Sequence, residues 1–326
     1  MAVFTKINTN DISYIENQFN IGKIKIFKGI KKGIENTNYL IRTKNKKYIL
    51  TIFEKRVHGG CKYKDLTFFM KLMSKLSKLK IKCPEPFRNK KGSYIFKLKN
   101  KNACIVSFLE GKDKNQLNVN DCYTVGKNIA KLHIASKKIK LFRKNSIGIN
   151  SWKPLLSKID RKINKLSKNL IDNMENELKY INKKWPNKLP SGIIHSDLFI
   201  DNIFFHKKRF YGFIDFYFSS NDFLSYELAT CVNALCFKKK QNKFVLDKNK
   251  SSKLLKGYQS LRKLTTTEKN SFNVLCRGSA LRYLLTRCFD YLNTPKSAII
   301  KIKNPREYIQ KLTFHCNLYS FKDYLK

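Results

Sequence analysis

Residues 195–216 read HSDLFIDNIFFHKKRFYGFIDF, and the reading of this stretch decides the fold. It opens with His195, Asp197 and Asn202 in the order H-x-D-x-x-x-x-N, and Asp215 follows eighteen residues after Asp197 (215 − 197). Ile203-Phe204-Phe205 is a short β-prone run, His206-Lys207-Lys208-Arg209 a polar turn, and Tyr211-Gly212-Phe213-Ile214 a second apolar run. The pattern predicts a loop, a strand, a turn and a second strand, a hairpin with acidic groups at both ends. Such a hairpin can hold one carboxylate near an attacking hydroxyl while an amide and a second carboxylate converge on a divalent metal.

Phosphoryl transfer uses those parts in those roles. The transferred group carries spread negative charge, so a protein mainly positions the reactants and neutralises charge through Mg²⁺. An Asn amide oxygen and an Asp carboxylate are hard oxygen ligands that suit Mg²⁺, which also keeps waters and takes phosphate oxygens. The expectation is Asp197 on the acceptor hydroxyl, Asn202 and Asp215 on the metal, and MgATP as donor. His195 joins the catalytic group by fixing the loop through hydrogen bonding.

At these residues a family resemblance becomes plain. The stretches Asp197–Phe205 (DLFIDNIFF) and Ile214–Phe218 (IDFYF), with neither H-R-D nor D-F-G, resemble the superfamily of aminoglycoside phosphotransferases and choline kinases. The wording is most similar to its bacterial members that phosphorylate L-homoserine, and the similarity extends from the first residues to Phe314-His315. The resemblance implies an α+β, two-lobed, protein-kinase-like fold, with L-homoserine as acceptor and O-phospho-L-homoserine as product. The residues alone also admit choline, ethanolamine or an aminoglycoside as acceptor. Those are cations, and their site would be lined by acids and aromatics.

The chain has 326 residues and 38.4 kDa, enough to bury a sizeable core as one large domain or two lobes. An apolar content of 42% with 13% aromatics belongs to a folded protein. The net charge of +45 raises a nucleic-acid or anionic-membrane partner as an alternative on a kinase-like scaffold. The basic residues are mostly Lys and spread along the whole chain, beside plentiful Asn and Ile, so a solvated lysine coat is expected. No specific nucleic-acid partner and no membrane are expected, and a homodimer is allowed. Nine cysteines without a paired framework suggest free thiols in a reducing cytoplasm. The N-terminus MAVFTKINTND has no apolar signal region, and no run of 18 or more apolar residues occurs.

In chain order, residues 7–21 predict a short helix capped by Asn10 or Asp11, followed by strands over 22–27, 37–43 and 47–53. The connector 28–36 carries Gly29 and Gly33 among basic residues and is expected to lie over phosphates with Asn36 and Asn38 nearby. Thr51 stands where related kinases place a phosphate-pairing lysine, so Lys55 or Arg56 becomes the candidate cation, and the Lys–Glu ion pair of kinases is expected to be missing. A helix over 64–80 and strands over 93–98 and 102–108 complete a sheet of about five strands, with Phe108 at the adenine-facing hinge. Residues 1–108 form the expected N-lobe and 109–326 the C-lobe.

From Val119 the periodicity turns helical. Residues 121–137 predict a helix with His133 as a hydrogen-bonded core residue, and 152–184 predict further helix. Residues 218–223 read as a loop, and 224–236 as an apolar helix with Asp222 as its cap and Glu227 paired to a basic core group. Residues 277–293 predict a helix with Leu281, Leu284, Leu285, Cys288 and Leu292 as its core stripe. In a Lys-rich chain its arginines stand out, because Arg holds a carboxylate with a rigid bidentate fork. Arg282 and Arg287 are therefore the candidates for the acceptor carboxylate. Local pairing of Arg287 with Asp290 at i, i+3 is the alternative.

Overall fold

The computed structural model describes residues 3–30, 36–54, 63–294 and 302–326, and these divide into two compact units. The first takes residues up to Gly111 together with Tyr211–Tyr217, and the second holds the remaining described residues.

The first unit is built on a five-stranded antiparallel sheet in the order β1-β2-β3-β5-β4. Its elements are α1 (Thr9–Gln18), β1 (Ile24–Gly29), β2 (Thr37–Thr43), β3 (Lys47–Ile52), α2 (Tyr63–Lys78), β4 (Phe96–Leu98) and β5 (Lys101–Ser107). The expected strands and both helices are present. The cap of α1 differs: Asn8 accepts the Asp11 N–H at 3.0 Å and Asp11 accepts the Asn8 N–H at 2.9 Å, a reciprocal box that starts the helix earlier than Asn10 would. Alternation along β2 buries Thr37, Tyr39, Ile41 and Thr43. Ile15 and Phe19 of the α1 segment complete a core with Tyr39, Ile41, Leu50, Ile52 and Ile105. Burying each such side chain stabilises the unit by about 1.5–3 kcal/mol.

The second unit is mainly helical. It contains α3 (Val119–Ser136), α4 (Trp152–Leu156), α5 (Leu170–Lys184), β6 (Ser191–Ile194) and β7 (Ile203–His206). Next come β8 (Arg209–Phe213), which carries the chain back to the first unit at Tyr211, and β9 (Ser220–Phe223). The rest is α6 (Leu224–Leu235), β10 (Phe237–Lys240), β11 (Lys243–Leu246), α7 (Lys248–Gln259), α8 (Thr266–Asn270), α9 (Phe272–Asn293) and α10 (Arg306–Cys316). The expected β7–β8 hairpin turns at Lys207 and Lys208 with φ of +47° and +65°, the sign that a tight two-residue turn requires.

Three local expectations change. The helix read over 152–184 is broken into α4, a 3₁₀ segment at Arg161–Leu166, and α5. Asp160 takes the Lys162 N–H at 2.7 Å and Asn164 takes the Ile171 N–H at 3.0 Å, so short polar side chains offer the backbone alternatives to the helix. Residues 220–223, read as loop, form β9 and pair antiparallel with β6, a long-range match that local sequence does not display. Finally, α6 is preceded by Phe223 rather than capped by Asp222, whose carboxylate is tied to Asn145 Nδ2 at 2.6 Å and to the Phe223 N–H at 2.7 Å. No helix among the described residues is long and apolar enough to cross a membrane.

Candidate functional site

In the second unit, β6 delivers the chain to His195, and the loop that follows is fixed at every backbone group that matters. Ser196 sits at φ +72°, a left-handed conformation that a serine adopts only under constraint. The constraint is Glu227 in the first turn of α6. Its Oε2 accepts the His195 N–H at 2.8 Å and its Oε1 the Ser196 N–H at 2.7 Å. Burial opposes ionisation of this wholly buried carboxyl, but the hydrogen bond from His133, electrostatic attraction to the His133 and His195 rings and the His195 N–H together outweigh it and hold Glu227 below the usual glutamate range. On the other side of the loop, the Ser196 carbonyl accepts Arg282 Nη1 at 2.7 Å.

Asp197 then projects from a braced loop, its side chain 23% exposed. Tyr283 Oη donates to Asp197 Oδ1 at 3.0 Å, and Arg282 Nη2 lies 3.9 Å from the same oxygen. A 3₁₀ turn at Ile200–Asn202 brings Asn202 back over the loop, where its Nδ2 donates to the Asp197 carbonyl at 2.8 Å. That bond explains the spacing of five between Asp197 and Asn202. With the amide nitrogen committed to the backbone, the Asn202 Oδ1 is oriented away from it, as an oxygen ligand for a hard cation would be. His195 is 1% exposed, so its ring belongs to the packed interior under the loop.

The first unit contains Asp215 and the described residues expected on the nucleotide side. Asp215 is exposed and holds φ +64°, a second left-handed non-glycine position. Thr51 is buried and donates to Asn38 Oδ1 at 2.8 Å, so the place of the expected lysine is closed by a neutral hydroxyl–amide pair. Asn36 Oδ1 accepts the Glu54 N–H at 3.4 Å. Phe108 lies under Lys47 Nζ at 5.2 Å from the ring centre. Gly29 ends β1, where a Cβ would stand 2.7 Å from Val3 Cγ2. Gly33, Lys55 and Arg56 lie outside the described residues. A Lys–Glu pair does exist in this sheet: Lys101 Nζ bonds Glu54 Oε2 and donates to Thr5 Oγ1 at 2.8 Å. It joins β5 to the chain just beyond β3, not the α2 helix.

The two candidate arginines of α9, Arg282 and Arg287, are both engaged, as is its third, Arg277, which pairs with Glu177 through Nε at 2.6 Å and Nη2 at 2.5 Å. Arg282 braces the loop that carries Asp197, as described. Arg287 Nη1 donates to Glu307 Oε2 at 2.6 Å and to the Asn304 carbonyl at 3.1 Å, so its partner is Glu307 of α10. Lys311 also bonds Glu307, at 2.7 Å, which gives one carboxylate two buried cations. Tyr308 packs between this cluster and Tyr283, 4.4 Å from the Arg287 guanidinium and 5.2 Å from the Tyr283 ring. Sequence reading missed Tyr283, Glu307 and Lys311. Tyr283 and Arg287 lie at i, i+4 on one face of α9, which was the available signal.

Among the described residues, no group of three or more His, Cys, Asp or Glu is arranged to hold a metal. Taken singly, the amide oxygen of Asn202 and the exposed carboxylate of Asp215 are each hard donors, of the kind that suits a cation completing its shell with water and phosphate. They do not fit a thiolate or imidazole metal.

Residues 26–264 match the model of the phosphotransferase enzyme family, APH. The homoserine kinase of Brucella anthropi is 39% identical over 324 residues, covering 99% of this chain and 97% of that one. The homoserine kinase of Agrobacterium fabrum is also 39% identical over 324 residues, covering 99% and 98%. Among solved structures, the amicoumacin kinase hAmiN in complex with AMP-PNP, Ca²⁺ and Ami superposes with a TM-score of 0.71 at 12% identity, over 97% of this chain and 94% of that chain. The Plasmodium vivax ethanolamine kinase gives 0.64 at 16%, over 98% and 86%. At such identities the structural likeness shows the fold, a kinase-like one with an antiparallel-sheet N-lobe and a helical C-lobe.

Proposed function

The chain belongs to the phosphotransferase enzyme family, and on that premise we propose that it is an ATP-dependent homoserine kinase. It moves the γ-phosphoryl of MgATP to the side-chain hydroxyl of L-homoserine and yields O-phospho-L-homoserine and ADP. The observation that carries this reading is identity of 39% with homoserine kinases over 99% of the chain.

In this reading Asp197 accepts the proton of the homoserine hydroxyl as its oxygen attacks the γ-phosphorus. The bond from that phosphorus to the β–γ bridging oxygen breaks, and ADP leaves. Tyr283 and Arg282 hold Asp197 and its loop so that the carboxylate meets the hydroxyl without searching rotamers. Asn202 and Asp215 are the residues that would hold Mg²⁺, which when bound neutralises charge on the phosphates. His195 supports the loop from below. Gly29, Gly33, Asn36, Asn38, Lys55 and Phe108 remain our assignment for the nucleotide side.

The acceptor carboxylate is assigned to the α9 arginines, with Arg287 preferred. Arg282 already spends Nη1 on the Ser196 carbonyl, whereas among the described residues the hydrogen bonds of Arg287 both leave from Nη1, and its Nε–Nη2 edge is the one we assign to a second anion. Two cations on one carboxylate at Glu307 leave a net positive charge there, which supports an anionic acceptor group over choline or an aminoglycoside. The eight described cysteines are free thiols, which supports a reducing cytoplasmic setting.

The test is product identity. Incubation with MgATP and L-homoserine should yield a phosphorus resonance of a phosphomonoester on the homoserine side chain. ATP consumed with only inorganic phosphate released would overturn the acceptor assignment.

A further inference from the structure

Helices α3 and α7 cross at unusually short range because each contributes a glycine to the contact. A Cβ on Gly126 would run into the Leu254 carbonyl oxygen, and one on Gly257 into the Tyr123 carbonyl oxygen. The next residue after Gly257 is Tyr258, a wholly buried side chain whose hydroxyl reaches His133 Nδ1 on α3 at 2.8 Å. The other ring nitrogen of His133, Nε2, meets Glu227 Oε2 at 3.1 Å. Behind Tyr258, Arg262 Nη1 donates to its oxygen at 3.1 Å, and Arg262 Nη2 is held by Glu268 Oε1 at 2.9 Å. Glu268 is itself wholly buried and closes the capping box of α8.

The two ends of this chain fix the direction of every bond in it. Arg262 can only donate, so the Tyr258 oxygen accepts and its single proton goes to His133 Nδ1. A protonated Nδ1 would leave the buried Tyr258 proton without an acceptor among the described residues. His133 is therefore the neutral tautomer with its proton on Nε2, donated to Glu227. Glu227, already accepting the His195 and Ser196 N–H groups, is an acceptor throughout. Donors aligned head to tail polarise one another, so the charge of Arg262 is felt at Glu227 through two intervening groups.

We infer that Tyr258 is a positioning residue for phosphoryl transfer: it selects the His133 tautomer, and thereby holds Glu227 where it keeps Ser196 left-handed and Asp197 aimed at the acceptor. Tyr258 touches no reacting atom. The inference rests on the reading of the Asp197 loop as catalytic.

The experiment uses the full chain with Tyr258→Phe, which keeps the ring and removes only the hydroxyl. Its kcat should fall about tenfold, the effect of one buried hydrogen bond on the barrier, while the KM values for MgATP and acceptor stay within about twofold. Imidazole ¹⁵N spectra should show His133 protonated on Nε2 in the wild type and a displaced Nδ1 resonance in the variant. In a His133→Gln background the further change Tyr258→Phe should have almost no effect on kcat, because the route to Glu227 is already cut. Cooperative unfolding of each variant gives the folded fraction to which kcat is referred. An unaltered kcat in folded Tyr258→Phe overturns the inference, and so does an equal loss in both backgrounds or a wild-type His133 protonated on Nδ1. Absence of any kinase activity in the wild type would instead fault the catalytic reading, while the ¹⁵N signals would still report the tautomer.

Discussion

Tyr283 Oη donates to Asp197 Oδ1 at 3.0 Å, so a residue of the buried helix α9 fixes one oxygen of the loop carboxylate. The other oxygen is left with the longer 3.5 Å approach of Asn202 Nδ2, and it is the one suited to take a proton. Asp197→Asn should retain MgATP binding and lose turnover by roughly 10²–10⁴-fold, the range for a positioned proton acceptor. Nucleotide titration and steady-state kinetics on the same preparation check it, and unchanged turnover would remove Asp197 from the mechanism. Tyr283→Phe keeps the packing on Phe199 and Tyr308 and should lose about tenfold in kcat alone.

Arg282 is the other support of this loop, and its geometry makes a specific demand. Its guanidinium bonds the Ser196 carbonyl and stands 3.9 Å from Asp197 while 95% of its side-chain surface is removed from solvent (5% exposed). Lysine cannot reproduce that fork. Arg282→Lys should lower kcat by more than tenfold and destabilise the fold by about 2–4 kcal/mol, read by denaturant unfolding. Wild-type kinetics in that variant would return the residue to a purely electrostatic role.

Arg287 and Arg282 should separate kinetically if Arg287 holds the acceptor. Arg287→Met is expected to raise the KM for L-homoserine by about tenfold or more and to spare the KM for MgATP. Equal increases in both would place the defect in folding or in the loop.

Asp215→Ala should weaken nucleotide binding only where Mg²⁺ is present. Titrating Mg²⁺ at fixed ATP reads the change directly, and a normal Mg²⁺ requirement would count against Asp215 as a ligand.

Glu54 provides the pH-dependent case. Burial opposes its ionisation, yet hydrogen bonds from Lys101, Thr5 and Thr37 hold its carboxyl below the usual range. A depressed folded pKa stabilises above the unfolded value, and that stability is lost as pH falls through the folded value. Lys101→Met should therefore lower Tm near pH 7, and its difference from wild type should shrink as pH falls below the ordinary glutamate range. A difference constant across that range would show that the ion pair is not the source.

Much of this was legible in the residues. The H-x-D-x-x-x-x-N spacing was legible as a pattern, and the structure adds its local reason: a 3₁₀ turn returns Asn202 to the Asp197 carbonyl. The sheet strands were legible through alternation, as in β2, and His133 as a satisfied core histidine proved to lie between Tyr258 and Glu227. What stayed hidden depends on distant partners. Strand β9 exists because β6 lies beside it, and Ser220–Phe223 alone carries no strand signal. Lysine-rich β10 and β11 escaped notice because their turn, Gln241 and Asn242 at positive φ, lacks the usual glycine. The partner of Arg287 is twenty residues on, at Glu307, across a connection whose path no local pattern shows.

The central claim is that the chain phosphorylates homoserine, and the most direct measurement is ADP release from MgATP with L-homoserine, L-serine, choline and kanamycin in parallel. The account predicts release that depends on L-homoserine and stays near background with the other three. Release driven by choline or kanamycin, or none with homoserine, would contradict it.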